Sequence, residues 1–163
     1  GSGLGIADVA IANVEIFADE GVETPEGFLS MRDLELPQAA RDGELIFNEV
    51  PVDFPTAETI QEIRSSLGHQ SRIEAGRFCT VSLGSGTDAA SRRAEERWNP
   101  LAESMEGAAA ALVAWRQRVR FSEIRGISNM TGDRNRESWK IAEACEVAAA
   151  AAGVWIERER TQT

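Results

Sequence analysis

The stretch RFCTVSLGSGTD, residues 77–88, contains the strand-to-helix junction that decides the fold class. Its first part predicts a strand at 77–83, and the glycine-rich turn after it leads to a polar helix at 88–98. Outward from this junction, strands are predicted at 9–17, 44–52 and 121–127. Helices are predicted at 56–67, 101–116 and 139–156, the last with Ser138 as its cap. Strands therefore alternate with helices, which predicts an α/β fold with a central sheet.

Two remaining segments predict irregular structure. Residues 19–28 are acidic and contain proline and glycine, so they are expected to form a loop. Residues 157–163 have the low hydrophobicity of a disordered tail, and Gly153 is expected to end or kink the helix before them. The length of 163 residues predicts one domain.

Composition excludes several classes of partner. A formal net charge of −10 argues against nucleic-acid and anionic-membrane binding, which both need clustered lysine and arginine. No apolar run is long enough to span a membrane. Cys79 and Cys145 are far apart and predict two reduced, buried thiols in a cytoplasmic protein. No cysteine and histidine cluster predicts a metal, no cofactor is expected, and the single histidine, His69, predicts no catalytic triad.

Glu106 is the most informative polar residue on the predicted helix 101–116. Of its neighbours three and four residues away, Ala102, Ala109 and Ala110 are apolar and only Glu103 is polar, so its side chain is expected on a largely apolar face. A buried carboxylate needs a partner or a cavity. Two interpretations stay open: a structural ion pair with Arg125, or a carboxylate that accepts hydrogen bonds from ligand hydroxyls.

Two further features are candidate ligand contacts. Asn129 follows a predicted strand, and its side-chain amide could bind a planar heterocycle through both its donor and its acceptor. Gly86 and Thr87 lie in a turn whose glycines would let the backbone approach a ligand. Each feature also has a plain structural interpretation, as a turn-forming asparagine and as a tight turn with a helix cap.

Four separated motifs together resemble one family. They are ESMEGAA at 103–109, EIRGISN at 123–129, DEGVETPEGF at 19–28 and the Ser-Gly-Thr turn at 85–87. In their order along the chain they resemble the purine nucleoside phosphorylase and nucleosidase superfamily, and within it the futalosine hydrolases. The resemblance implies a mixed, three-layer α/β fold whose first βαβ portion is expected upstream of Gly1, together with a glycine-rich loop and a water-activating glutamate.

The resemblance also assigns roles to individual residues. Glu106 would bind the ribose 2′- and 3′-hydroxyls, and Met105 would pack on the sugar. Asn129 would contact the base, where an amide suits a 6-oxopurine. Gly86 and Thr87 would line the base pocket.

Phe28 is implied to reach the site of a neighbouring subunit in a homo-oligomer. The implied reaction is hydrolysis of the N-glycosidic bond of futalosine, which releases hypoxanthine and dehypoxanthine futalosine in menaquinone biosynthesis. A phosphorylase, or a catalytically silent nucleoside-binding fragment, remains as an alternative.

Overall fold

The computed structural model describes residues 3–68 and 71–162; His69 lies outside the described residues. Within the described residues, the strands β1 to β9 are Val9–Phe17, Gly21–Thr24, Gly27–Ser30, Ala39–Arg41, Glu44–Ile46, Glu49–Pro51, Ile73–Thr80, Ala102–Ser104 and Ile124–Gly126. The helices α1 to α4 are Ala57–Leu67, Asp88–Trp98, Gly107–Gln117 and Ile141–Gln162.

The central sheet is mixed, as the resemblance implied. Its order is β6-β1-β7-β8. Strand β9 pairs with the first half of β1, along the same edge where β6 pairs with the second half. Strands β1, β7 and β8 are parallel, whereas β6 and β9 run antiparallel to β1. Strand β1 is the central element, because both its edges are paired and most of its side chains are buried.

Helices cover both faces of this sheet. On one face, Val9 and Ile11 of β1 form a core with Trp155 of α4 and Ile63 of α1. On the other face, α3 packs Ala111 and Trp115 against residues of β4, β5 and β6. A register shift at Asn13 reverses the alternation of β1, so that the odd-numbered Glu15 faces α3 although Ile11 faces α1 and α4.

The predictions for the first half of the chain are confirmed in part. Strand β1 and helix α1 are where the sequence predicts them, and Thr56 caps α1. The predicted loop at 19–28 is wrong: it contains β2 and the start of β3, which form a hairpin. The predicted strand at 44–52 is two strands, because β5 pairs with β4 and β6 pairs with β1.

The predicted helix 101–116 is wrong at its beginning. Residues 102–104 form β8, which pairs in parallel with the end of β7, and α3 begins only at Gly107. Pairing with β7 outcompetes the local helical periodicity here. Strand β7 itself begins earlier than predicted, at Ile73, and β9 is shorter than the predicted strand 121–127.

Helix α4 is longer than predicted. It begins at Ile141 and continues past Gly153 to Gln162, so most of the expected disordered tail is helical. Ion pairs stabilise this end, with Arg158 bound to Glu62 and Glu159 bound to Arg120. Ser138 is not the cap of α4, because it lies in a separate 3₁₀ turn, Arg136–Ser138. A membrane-spanning helix is absent from the part of the chain that the structure describes.

The two cysteines differ in environment. Both are free, but only Cys79 is buried, and the expectation of a buried Cys145 is wrong because it lies on the exposed side of α4. Burial raises the pKa of the Cys79 thiol to about 12, and the nearby Glu103 carboxylate adds to this effect. The Cys79 thiol therefore stays protonated at neutral pH.

Candidate active site

A cleft of about 690 Å³ lies between three segments that are distant in sequence. These are the turn after β7 at 82–86, the segment 100–105 that contains β8, and the segment 125–132 that begins in β9. Among the predicted site residues, Gly86, Met105 and Asn129 line this cleft. A second hollow lies on the exposed face of α3 and is lined by Ala109, Ala110, Val113, Ala114, Gln117 and Val119. The first cleft has the polar groups that a nucleoside requires.

Asn129 reaches the cleft by a different route from the one expected. Because β9 runs antiparallel to β1, its carboxyl end lies beside the beginning of β1 and not where β1 and β7 end. The chain then folds back, and Gly132 N donates to Ser85 O at 3.1 Å. The side chain of Asn129 accepts from Ser128 Oγ at 2.8 Å and donates to Met130 O at 3.1 Å. One N–H and one oxygen lone pair remain for a ligand.

The expectation that Glu106 lies buried among alanines is wrong. Its side chain is 74% exposed, because Ala102 belongs to β8 and Glu106 precedes the first residue of α3. Glu106 Oε2 lies 3.3 Å from Arg125 Nη2, so the ion pair that the sequence left open is present. Arg125 and Met105 line the cleft, and the carboxylate of Glu106 is therefore next to it rather than in its wall.

The glycine-rich turn is held by a residue that the sequence did not single out. Glu103 accepts from Ser85 N at 2.8 Å and from Ser85 Oγ at 2.6 Å. Thr87 caps α2 by accepting from Ala90 N at 3.2 Å, so its structural interpretation is confirmed, and it lies next to Gly86 at the end of the cleft. If 102–104 had been predicted as a strand beside β7, Glu103 would have been a candidate contact of the turn that follows β7.

Phe28 lies outside the cleft. Its ring centroid is 6.3 Å from that of Trp98, at an interplanar angle of 79°, and Arg97 lies over the ring at 3.7 Å. These contacts fix the β2–β3 hairpin against α2. The role of Phe28 at a neighbouring subunit's site stays a prediction.

A second carboxylate cluster, also missed from the sequence, lies beneath the cleft. Glu15 is fully buried in β1, and the Glu123 side chain is only 10% exposed. Burial raises the pKa of Glu15 to about 9, and the negative charge of Glu123 and its hydrogen bond to Glu15 add to this shift. The signal that could have found it is a single acid in the otherwise apolar strand VAIANVEIF.

No three acidic, cysteine or histidine residues in the described ranges 3–68 and 71–162 form a group that could hold a metal ion. The side chains that line the cleft include carboxylates, two guanidinium groups, hydroxyls and the amide of Asn129. These groups bind hydroxyls and a heterocycle directly.

Comparison with known families gives the class of this protein. The sequence model of the phosphorylase superfamily matches residues 1–157. The chain belongs to the phosphorylase superfamily.

The curated relatives it matches are futalosine hydrolases. That of Acidothermus cellulolyticus is 33% identical over 141 residues, which are 86% of this chain and 53% of the relative. That of Streptomyces coelicolor is 30% identical over 149 residues, which are 91% of this chain and 57% of the relative. The chain thus spans little more than half the length of these relatives.

Solved structures share the fold. A 5′-methylthioadenosine/S-adenosylhomocysteine nucleosidase from Colwellia psychrerythraea, in complex with adenine, aligns with a TM-score of 0.73 and 14% identity; the match covers 96% of this chain and 61% of that one. A futalosine hydrolase mutant of Helicobacter pylori aligns with a TM-score of 0.68 and 15% identity, over 97% and 64% of the two chains. At such low identity the likeness concerns the fold alone.

Proposed function

We propose that this protein hydrolyses the N-glycosidic bond of futalosine, releasing hypoxanthine and dehypoxanthine futalosine in menaquinone biosynthesis. The observation that carries the proposal is the cleft, which brings together Gly86, Met105 and Asn129 from three separate motifs of the resemblance. The identity with curated futalosine hydrolases supports this substrate over other nucleosides. The proposal concerns the whole protein, because the chain spans only 53% and 57% of those relatives.

Glu106 is the proposed partner of the sugar. Its Oε2 is engaged by Arg125 Nη2 and by Met105 N, each at 3.3 Å. Its Oε1 is left to accept from vicinal ribose hydroxyls, and the exposed Met105 side chain offers an apolar surface to the sugar ring. A carboxylate beside the sugar would also stabilise the positive charge that develops there as the bond breaks.

Asn129 is the proposed partner of the base. Its free N–H can donate to the O6 of a 6-oxopurine, and its free lone pair can accept from a ring N–H. In the reaction, the oxygen of water bonds to C1′ while the bond from C1′ to the base nitrogen breaks. The bonding electron pair leaves with the base, which takes up a proton, and the water loses one.

The same resemblance supports a homo-oligomer in which Phe28 contacts the neighbouring subunit's site. We place the protein in the cytoplasm on the basis of its two free cysteines, which are typical of a reducing compartment. Sedimentation velocity of the purified protein tests the oligomer, and a single monomeric species at all concentrations would contradict it.

Hypoxanthine release from futalosine and from inosine, with and without inorganic phosphate, tests the reaction. We expect release from futalosine that does not depend on phosphate. Release only with phosphate would identify a phosphorylase, and binding without release would identify a silent nucleoside-binding protein.

Asn129→Asp tests the assignment of the base contact. An aspartic acid can donate a proton to the purine N7 and favours a 6-aminopurine, so we expect the ratio of kcat/KM for adenosine to that for inosine to rise about tenfold. The conservative change Glu146→Gln, on the exposed face of α4, is the control. An unchanged ratio would contradict the contact between Asn129 and the base.

A further inference from the structure

One guanidinium group connects the cleft to the buried acids beneath it. Arg125 Nη2 lies 3.3 Å from Glu106 Oε2, on the exposed side. Arg125 Nε donates to Glu123 Oε1 at 2.5 Å, on the buried side. The position of the exposed carboxylate is thus linked through Arg125 to the buried Glu123.

Glu15 and Glu123 face each other beneath the first residue of α3. A Cβ atom built on Gly107 would lie 2.5 Å from Glu15 Oε2 and would also collide with Glu123 Oε2. Glu15 Oε2 accepts from Thr80 Oγ1 at 3.4 Å, whereas Glu15 Oε1 has no partner among the described residues. Two buried carboxyl groups in contact cannot both be ionised at low cost, so one of them carries a proton.

A second connection leads from Glu15 to the beginning of α3. Thr80 Oγ1 accepts from Ala108 N at 2.7 Å, in the first turn of the helix. Thr80 Oγ1 also lies 3.3 Å from Ser104 Oγ, which accepts from Gly107 N at 3.4 Å. Through this hydroxyl, Glu15 supports the backbone that presents Met105 and Glu106.

We propose that Glu15 and Glu123 share one proton and act as positioning residues, which hold Arg125 and the first turn of α3 so that Glu106 and Met105 meet the sugar. This role rests on the proposed nucleosidase function. Neither residue lines the cleft, so neither is a catalytic residue.

The charges around the pair fit this arrangement. From β9 the guanidinium of Arg125 faces it, and from β7 the hydroxyl of Thr80 does. From β8 the Ser104 hydroxyl lies close, and α3 contributes its first N–H groups. With one shared proton the pair has a single negative charge, which matches the single positive charge of Arg125.

Two substitutions at position 15 separate positioning from simple structural support. Glu15→Gln keeps an N–H that can donate to Glu123, so we expect kcat/KM within about twofold of the unaltered protein. Glu15→Leu has a similar volume but removes the polar contacts of position 15 with Glu123 and Thr80, so we expect kcat/KM to fall roughly tenfold or more, mainly through KM. The urea midpoint of Glu15→Leu should not fall, because an apolar residue suits a buried site.

The shared proton has its own spectroscopic test. At neutral pH the infrared spectrum should contain a carboxylic acid C=O band that disappears in Glu15→Gln and persists in the exposed control Glu146→Gln. Absence of this band from the unaltered protein would overturn the shared proton. Full activity of Glu15→Leu, or equal loss of activity and stability, would overturn the positioning role.

These outcomes distinguish the inference from the function on which it rests. If the unaltered protein released no hypoxanthine under any condition, the proposed function would fail, and the positioning role would fail with it. If the unaltered protein were active and the two variants at position 15 were indistinguishable from it, only the inference would fail.

Discussion

Helices α2 and α3 both begin shortly after a parallel strand, but their first turns are stabilised in different ways. At α2, the N-cap residue Thr87 accepts from Ala90 N and satisfies the helix by itself. At α3, Glu106 occupies the N-cap position and makes no capping hydrogen bond. Its carboxylate is instead directed to Arg125 at the edge of the cleft.

The first turn of α3 is satisfied from the sheet beneath it. Ala108 N donates to Thr80 Oγ1 and Gly107 N to Ser104 Oγ, so hydroxyls of β7 and β8 replace the missing cap. The N-cap residue Glu106 therefore does not have to cap the helix. A helix can therefore begin with an acid whose carboxylate is free for other contacts when neighbouring residues supply the capping hydrogen bonds.

The largest expected effect is the difference in kcat/KM between variants of the two N-cap residues. Glu106→Ala should lower kcat/KM for futalosine about 100-fold, since it removes the carboxylate that binds the sugar. Thr87→Ala should change kcat/KM by less than about threefold, because its side chain serves the helix. Steady-state kinetics of the two variants check this, and comparable losses in both would break the comparison.

The next effect compares the glycines at the two junctions. Gly107→Ala should lower the free energy of unfolding by about 1–3 kcal/mol, because a methyl group there collides with both buried carboxyl groups. Gly86→Ala is the matched control, since its nearest neighbour would be Gly84 O at 4.0 Å. Urea denaturation of both variants measures the difference. A neutral Gly107→Ala would mean that the acids have room to move apart.

A smaller effect compares the two hydroxyls that stabilise the helix starts. Thr80→Val removes a buried acceptor of Ala108 N and should cost about 1–3 kcal/mol of folding free energy. Thr87→Ala removes an exposed cap and should cost about 1 kcal/mol. Thermal and urea unfolding of the two variants rank them. If Thr87→Ala cost more, α3 would not depend on the sheet for its capping.

A further effect is the pH dependence of stability that Glu15 introduces. Its pKa is raised in the folded protein, so between its ordinary value and about pH 9 the unfolded state has lost a proton that the folded state keeps. The free energy of unfolding therefore declines as the pH rises through this window. Glu15→Gln should flatten the decline, as measured by urea unfolding at a series of pH values. An identical slope in both proteins would contradict the shared proton.

The sequence predicts the elements whose signals are local. The apolar run of β1 and the caps Thr56 and Thr87 mark structures that need no distant partner to be recognised. Strand β8 escapes prediction because three residues carry no periodicity of their own and exist only through pairing with β7. The predicted helix 101–116 placed Ala102 beside Glu106 and so wrongly predicted a buried Glu106. Ala102 belongs to β8, and Glu106 is exposed.

The residues of the candidate site also include some that local sequence motifs predict and some that they do not. Gly86, Met105 and Asn129 lie in recognisable motifs, and the structure brings them to one cleft. Glu15 belongs to none of these motifs, and Glu123 only begins one of them; their contact could not be predicted because it depends on the sheet and on the extra residue in β1. Pattern alone would place the odd-numbered Glu15 on the same face as Val9 and Ile11, against α1 and α4.

That extra residue, Asn13, has a consequence for how the strand tolerates change. Deleting it would join the two halves of the strand in one regular alternation in step with β7, and would leave Glu15 on its present face. The nine residues of β1 thus behave as two short strands with opposite constraints. Before Asn13 the odd-numbered side chains are apolar and face α1 and α4, whereas after it the odd-numbered Glu15 faces α3.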